Sequence, residues 1–345
     1  MPIAADRLHG WVTELLAAWG YSPDDADYLA ETLVDANLRG IDSHGVIRLA
    51  AYRARIDAGL TSATAQPVLS GSGATLRVDA HGAAGQIAAR VAARAARDAA
   101  REHGIAAVAV HGSTHFGAAG FYARWLAGEG LVAVVTSNSE PVVVPFGGRS
   151  PLFGTNPFAF AAPTNGAPIS LDMATSTSAM GKVMVAQAEG RSVPADWGVD
   201  ADGAPTTDPN AITALLPAGG PKGYALGYLV EVLSGVLTGA AITHGIGNMY
   251  SDFSRPQDVG HFMIAIDVSR FLPMEDFLAR MDALAAEAHG VAPAPGFDAV
   301  LVPGEPEERT SAARGDAGIP LAEATVDELR ALGADAGVPF PEDRA

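Results

Sequence analysis

The sequence predicts a mixed α/β or α+β protein, not a doubly wound parallel sheet, and three observations carry that reading. The first sixty or so residues show helical periodicity with helix punctuation. From Thr75 onward the texture changes to short β-rich runs separated by glycine-rich loops. No Gly-x-Gly-x-x-Gly follows any of those runs, and no Gly-x4-Gly-Lys-Ser/Thr phosphate loop occurs, so a nucleotide would have to bind by another route.

Leu8, Val12, Leu15 and Trp19 mark the first helix. Ser22, Pro23 and Asp25 start the second with a capping hydroxyl, a proline at the first helical position and a carboxylate in the first turn. Leu29, Leu33 and Ala36 form its apolar stripe, and Arg39-Gly40 stops it. A third helix is expected to open at Asp42 or Ser43, to turn Leu49, Tyr52 or Arg53, and Ile56 inward, and to end at Gly59. Residues 70–74 read as a turn. Strands are expected at 76–78, 105–110, 131–136, 158–161, 169–171 and 262–268.

Between the first two strands lies an alanine-rich helix over 85–103, whose Arg90, Arg94, Arg97 and Arg101 read as a solvated face. Residues 223–243 are nearly uncharged, but Glu231 and several glycines argue against a membrane span and for a helix buried between layers. A helix over 274–289 precedes a proline-rich passage over 293–306. The rest reads as irregular until a short helix near 326–332.

The chain has 345 residues, 48% of them hydrophobic, enough for a large core. A net charge of −17 argues against nucleic-acid and anionic-membrane partners. With no cysteine there are no disulfides, thiolate metal sites or cysteine nucleophiles. Met1 to Gly20 alternates polar and apolar residues, unlike a signal peptide, so a cytoplasmic protein is expected.

Asp42-Ser43-His44-Gly45 with Arg48 puts a proton-transfer group beside a carboxylate clamp, chemistry suited to a small hydroxy or keto acid. On a continuous helix His44 and Arg48 would share a face, the helix start would keep the imidazole neutral, and Asp42 or Ser43 would orient it. The small-residue turn from His111 to Gly120 offers backbone N–H groups to an anion. Its His111 and His115 have a zinc-like spacing only if helical, which Gly112 and the preceding strand oppose, so no metal is expected. Ser137 to Pro141, Gly154-Thr155-Asn156-Pro157, Asp172 to Ser176, Gly181-Lys182 and Gly219-Gly220-Pro221-Lys222-Gly223 complete the set of polar loops at element ends.

Together these stretches resemble the malate/L-lactate dehydrogenase family that lacks the Rossmann fold. The shared segments are Asp42-Ser43-His44-Gly45, His115-Phe116-Gly117-Ala118, Val144-Pro145-Phe146-Gly147-Gly148, Gly154-Thr155-Asn156-Pro157, Asp172-Met173-Ala174-Thr175, Gly181-Lys182, Pro221-Lys222-Gly223-Tyr224 and Val302-Pro303-Gly304-Glu305. The resemblance implies a helical segment over 1–72, a largely antiparallel NAD(P)-binding sheet domain over 73–270, and a helical or irregular segment over 271–345 packing back on the rest. It also implies a homodimer with sites near the subunit interface.

Carried over by that resemblance, His44 is the proton donor or acceptor, Ser43 its relay and Arg48 the substrate-carboxylate ligand. His115 matches the histidine given the catalytic role in the ureidoglycolate branch. Cofactor contacts fall on His115, Phe116, Gly117, Ala118, Ala119, Ser139, Asp172, Met173, Ala174, Lys222, Pro303, Gly304 and Glu305. Thr155 is carried over as a substrate or nicotinamide contact, and Lys182 is grouped with the substrate residues. The cyclic imino-acid reductase branch has an acid where this chain has Lys182, which favours a hydroxy acid over an imine.

The expected activity is NAD- or NADP-dependent oxidation of a small 2-hydroxy acid of the ureidoglycolate, malate, lactate or sulfolactate type. The stretch Asp196-Trp197-Gly198-Val199-Asp200 leans toward the ureidoglycolate branch. The alternatives are an NADPH-dependent reductase of a 2-keto or cyclic imino acid, and a non-catalytic scaffold with the same fold.

Overall fold

The computed structural model describes residues 2–341. The chain opens with β1 (Pro2–Ile3), α1 (Ala5–Ala18), α2 (Pro23–Leu38) and α3 (Leu49–Asp57). As the pattern predicts, the Ser22 side chain accepts the Asp25 N–H at the α2 start, and Gly40 and Gly59 adopt positive φ just past α2 and α3.

The middle of the chain supplies β2 (Val68–Ser72), β3 (Thr75–Asp79), α4 (Gly85–His103), β4 (Ile105–Ser113), α5 (Ala119–Gly128), β5 (Leu131–Ser137), β6 (Phe158–Ala162) and β7 (Ile169–Met173). There follow α6 (Met180–Ala188), β8 (Gly198–Val199), β9 (Ala214–Leu215), α7 (Pro221–Glu231) and β10 (Val259–Asp267). The chain closes with α8 (Met274–His289), α9 (Glu305–Ala317), β11 (Ile319–Pro320) and α10 (Glu323–Ala336).

Seven strands form the central sheet in the order β2-β3-β4-β10-β5-β6-β7. Every neighbouring pair is antiparallel except β3 and β4, which α4 connects as a parallel crossover. This is the largely antiparallel sheet the resemblance implies. Buried alanines 88, 92, 96 and 100 let α4 lie close to the sheet, and α5 packs beside it through Phe121, Tyr122 and Leu126. A second core joins Leu8, Val12, Leu29 and Leu33 to Ile319, Val326 and Leu329, so α10 and β11 fold back onto the N-terminal helices.

Four expectations need correction. Residues 70–74 are not simply a turn, because β2 pairs with β3 in register up to Ser72 opposite Thr75. The arginine face of α4 is not just solvated: Arg90 pairs with Asp25 and lies 4.8 Å over the Tyr28 ring, while Arg97 lies over Trp125. Helix α9 occupies a stretch expected to be irregular. The 223–243 segment is helical only in its first half, passes into a π-turn over 232–236, and leaves one apolar side exposed.

Candidate active site

Two 3-10 turns, Asp42–His44 and Val46–Arg48, stand where one helix start was expected. Gly45 separates them in an extended conformation because Asn37 of α2 presses against it; a Cβ there would lie 2.1 Å from Asn37 Oδ1. The same amide oxygen accepts the Val46 N–H at 2.9 Å. His44 and Arg48 therefore do not lie one turn apart on a continuous α-helix, but the double turn still brings their side chains into one electrostatic neighbourhood.

Ser43 Oγ lies 3.0 Å from His44 Nδ1. Asp42 does not orient the ring, because Asn37 Nδ2 and Arg314 occupy its carboxylate at 2.7 Å each. Burial and then the Arg48 charge push His44 down to about 3, so its imidazole is neutral near pH 7. The cause is the local environment; a helix N-terminus plays no part.

The His115 ring stacks on His44 with centroids 5.4 Å apart. Its Nδ1 receives the Gly117 N–H at 3.3 Å and lies 2.8 Å from Tyr52 Oη. Gln86 Nε2 donates to that same hydroxyl at 2.9 Å, leaving the Tyr52 O–H to donate to His115. A backbone N–H cannot accept, so this network assigns Nδ1 as acceptor and places the proton of neutral His115 on Nε2. Burial, followed by Arg48, His44 and His261, holds His115 well below its ordinary value. His115 is thus built to donate a hydrogen bond from Nε2, whereas His44 keeps a ring that can take a proton.

Arg48 donates from Nε to Ser43 O and lies 5.5 Å over the Tyr250 ring. Among the described residues no carboxylate reaches ion-pair distance of its guanidinium. Burial lowers its pKa, with Tyr52 and Glu140 acting in the opposite sense, but an arginine stays charged. A desolvated cation without a counter-ion favours an anionic ligand.

The expected cofactor segments meet beyond His115. Gly120 at the start of α5 donates to Asp172 Oδ2 at 2.7 Å, where β7 ends. Ser170 of β7 donates to Pro303 O at 3.1 Å, and Gly304, with φ +95°, approaches so closely that a Cβ would sit 2.6 Å from Ser170 Oγ. Glu305 accepts the Val302 N–H at 2.9 Å and lies 3.0 Å from His289 Nε2. Phe116 is clamped on the buried His261 ring, 4.2 Å away and 3° from parallel.

Ser139 donates its N–H to Asn156 Oδ1, and Thr155 O accepts from Thr175, so Ser139, Thr155 and the Ala174 strand end form one cluster. Lys182 on α6 and Lys222 on α7 are exposed, and among the described residues no side-chain hydrogen bond or ion pair ties either to His44. The small residues at 117–120 keep bulky side chains away from the start of α5, and the Asp172 carboxylate stands beside it as an acceptor. An acceptor next to an unshielded backbone fits the amide and hydroxyl groups of a nicotinamide dinucleotide.

Sequence reasoning missed the roles of Tyr52, Gln86, Glu140, Tyr250, Gln257 and His261. Gln257 Oε1 accepts the His115 N–H at 3.3 Å, and Glu140 Oε1 accepts the Met249 N–H at 3.3 Å. A usable signal existed for His261, an imidazole inside an otherwise apolar strand, and for Gln86 in the first turn of an alanine helix. Glu140 lies in the polar loop over 137–141 that the sequence singled out without giving it a role, and Tyr250 stands in a loop with no local signature.

The model of the malate/L-lactate dehydrogenase family matches residues 3–330. The chain belongs to that family. Ureidoglycolate dehydrogenase (NAD(+)) from Escherichia coli is 38% identical over 310 residues, covering 89% of each chain. The (2R)-3-sulfolactate dehydrogenase (NADP(+)) of Chromohalobacter salexigens is 40% identical over 326 residues, covering 92% of this chain and 93% of the relative. Malate dehydrogenase from Entamoeba histolytica superposes with a TM-score of 0.94 at 29% identity over 99% of both chains. Fold and family are those of NAD(P)-dependent oxidoreductases of 2-hydroxy acids.

Proposed function

We propose that this family member oxidises a small 2-hydroxy acid to the 2-oxo acid, with the His44 cluster as its substrate site. What carries this reading is the juxtaposition of an unpaired guanidinium, Arg48, with two imidazoles held neutral, His44 and His115. Arg48 binds the acid's carboxylate. His44 takes the hydroxyl proton, steadied by Ser43, and His115 donates a hydrogen bond from Nε2 to the substrate oxygen or the cofactor amide. Burial is the main cause that depresses His44, and binding a carboxylate on Arg48 offsets the second, the Arg48 charge, which makes the imidazole a better base.

His115, Phe116, Gly117, Ala118 and Ala119, Ser139, Asp172, Met173 and Ala174, Lys222, and Pro303, Gly304 and Glu305 would hold NAD or NADP. Bound there, the nicotinamide ring supplies the hydride acceptor. Thr155 and Lys182 complete the substrate side. Within the family the reading leans to ureidoglycolate, supported by the Asp196 to Asp200 stretch and by the Escherichia coli relative. A homodimer in the cytoplasm completes the proposal, supported by the exposed apolar side of α7; among the described residues no helix is long and apolar enough to cross a membrane.

The test is His44→Asn, assayed with NAD and NADP against lactate, malate, sulfolactate and ureidoglycolate. Turnover should fall by about 10²–10⁴-fold while cofactor affinity, read by fluorescence titration, stays unchanged. Undiminished turnover removes His44 from the chemistry.

A further inference from the structure

We propose that Glu140 is a specificity-determining residue that makes the site prefer 2-hydroxy acids with one negative charge and a hydrogen-bond-donating substituent over acids with two negative charges. The inference rests on the reading of the His44 cluster as the substrate site and adds to it the charge class of the substrate.

Glu140 stands in the loop after β5, next to Ser139. One of its oxygens accepts the Met249 N–H at 3.3 Å, and the following residue, Tyr250, covers the Arg48 guanidinium. Glu140 therefore borders the space around Arg48, yet among the described residues it forms no ion pair with any cation. Its charge nonetheless acts on both Arg48 and Arg55 from beyond ion-pair distance. Glu140 holds Met249 while the adjacent Tyr250 lies over Arg48, so an acid whose carboxylate sits on Arg48 would turn its substituent toward the loop that Glu140 anchors.

The remaining charges set the balance. Arg55 is fully buried, its Nη1 and Nη2 donate to the carbonyls of Asn248, Asp252 and Arg255, and its unpartnered Nε is enclosed, so it presents no donor to a ligand. His44 and His115 are neutral. Arg48 is then the one cation with donors to spare beside the imidazole pair, and it satisfies a single carboxylate. A second carboxylate or a sulfonate turned toward Glu140 would meet a like charge, and Lys182 of the substrate side has no hydrogen bond or ion pair with this cluster among the described residues through which to offset it there. An N–H-bearing substituent such as a ureido group would instead give Glu140 a further donor beside the Met249 N–H.

The experiment compares kcat/KM for two singly charged acids, lactate and ureidoglycolate, with that for two doubly charged acids, malate and sulfolactate, in the wild type and in Glu140→Gln. Gln keeps the size and the acceptor oxygen for Met249 while removing the charge. Reading the ratio between acids within each variant makes the result independent of any general loss of active protein. The wild type should favour ureidoglycolate, and Glu140→Gln should shift the ratio toward malate and sulfolactate about tenfold. The shift should shrink as salt is raised. A wild type that prefers the doubly charged acids, or a ratio unmoved by Glu140→Gln, overturns the inference and leaves the dehydrogenase reading standing. Oxidation of none of the four acids overturns the site assignment itself and the inference with it.

Discussion

His261 spans β4, β10 and β5 with no solvent exposure, its Nε2 2.8 Å from Ser113 Oγ and its Nδ1 2.9 Å from Ser137 Oγ. A hydroxyl can donate or accept, so both nitrogens are satisfied while the ring is neutral. Burial pushes His261 down to about 3, against an ordinary value of 6.5. The folded state therefore refuses a proton that the unfolded state accepts, and stability falls as pH drops below 6.5 toward 3. At pH 5 this one group costs about 2 kcal/mol relative to pH 7. In urea titrations, His261→Gln should lose about that much less stability between pH 7 and pH 5 than the wild type. Equal losses would show that His261 is not buried neutral. At this scale residue type and the family resemblance singled out Ser43, His44, Arg48 and His115 as candidates, while the helical spacing assumed for His44 and Arg48 gave way to two 3-10 turns. The hydrogen bonds that fix the His115 proton were not legible, since Tyr52 and Gln86 come from parts of the chain separate from His115 and from each other.

Helix α3 organises the loop over 248–255 through one side chain. Arg55 donates to the carbonyls of Asn248, Asp252 and Arg255 at 3.1, 3.0 and 2.9 Å, and its guanidinium lies 5.8 Å from the Phe253 ring centroid. Three carbonyls converging on a planar fork are beyond the reach of an ammonium, so Arg55→Lys is not conservative here. It should cost about 3 kcal/mol of stability and raise KM for the acid, because the same loop carries Tyr250 over Arg48. Denaturant titration and steady-state kinetics check the two effects separately; lost stability with an unchanged KM would detach the loop from the acid site. The elements that sequence reading found are those whose pattern reports burial, such as β5 with its Val132-Ala133-Val134-Val135 run. It missed β2, an edge strand exposed along its whole length and rich in serine and glycine. It also missed α9, which has no buried residue and is held by ion pairs of Glu308 with Arg39 and Arg314 with Asp42.

Across the whole molecule, the segment after Lys222 shows why its surroundings were misread. A helix apolar on every side is normally enclosed, and the sequence places that enclosure within the chain. In the structure Gly227, Val230, Ser234 and Gly235 face inward, while Leu226, Tyr228, Leu229, Val232, Val236 and Leu237 are 39–61% exposed. In the proposed homodimer a second copy of the chain would cover these side chains. The face is coupled to the candidate site, because Glu231 accepts from Asn156 Nδ2 at 2.8 Å, next to Thr155. Each large apolar side chain covered contributes about 1.5–3 kcal/mol, and a carboxylate placed there would be buried unpaired. Leu229→Asp with Val236→Asp should therefore give a monomer in sedimentation velocity at concentrations where the wild type is a dimer, with lower turnover. Each copy carries a net charge of −17, so bringing two together works against electrostatic repulsion. The wild-type dimer should accordingly tighten as ionic strength rises from about 0.01 M to about 0.15 M, which shortens the screening length from roughly 30 Å to roughly 8 Å. An association held by ion pairs would loosen over the same range, and a wild type that sediments as a monomer at every salt concentration would leave the α7 face unpartnered by a second copy.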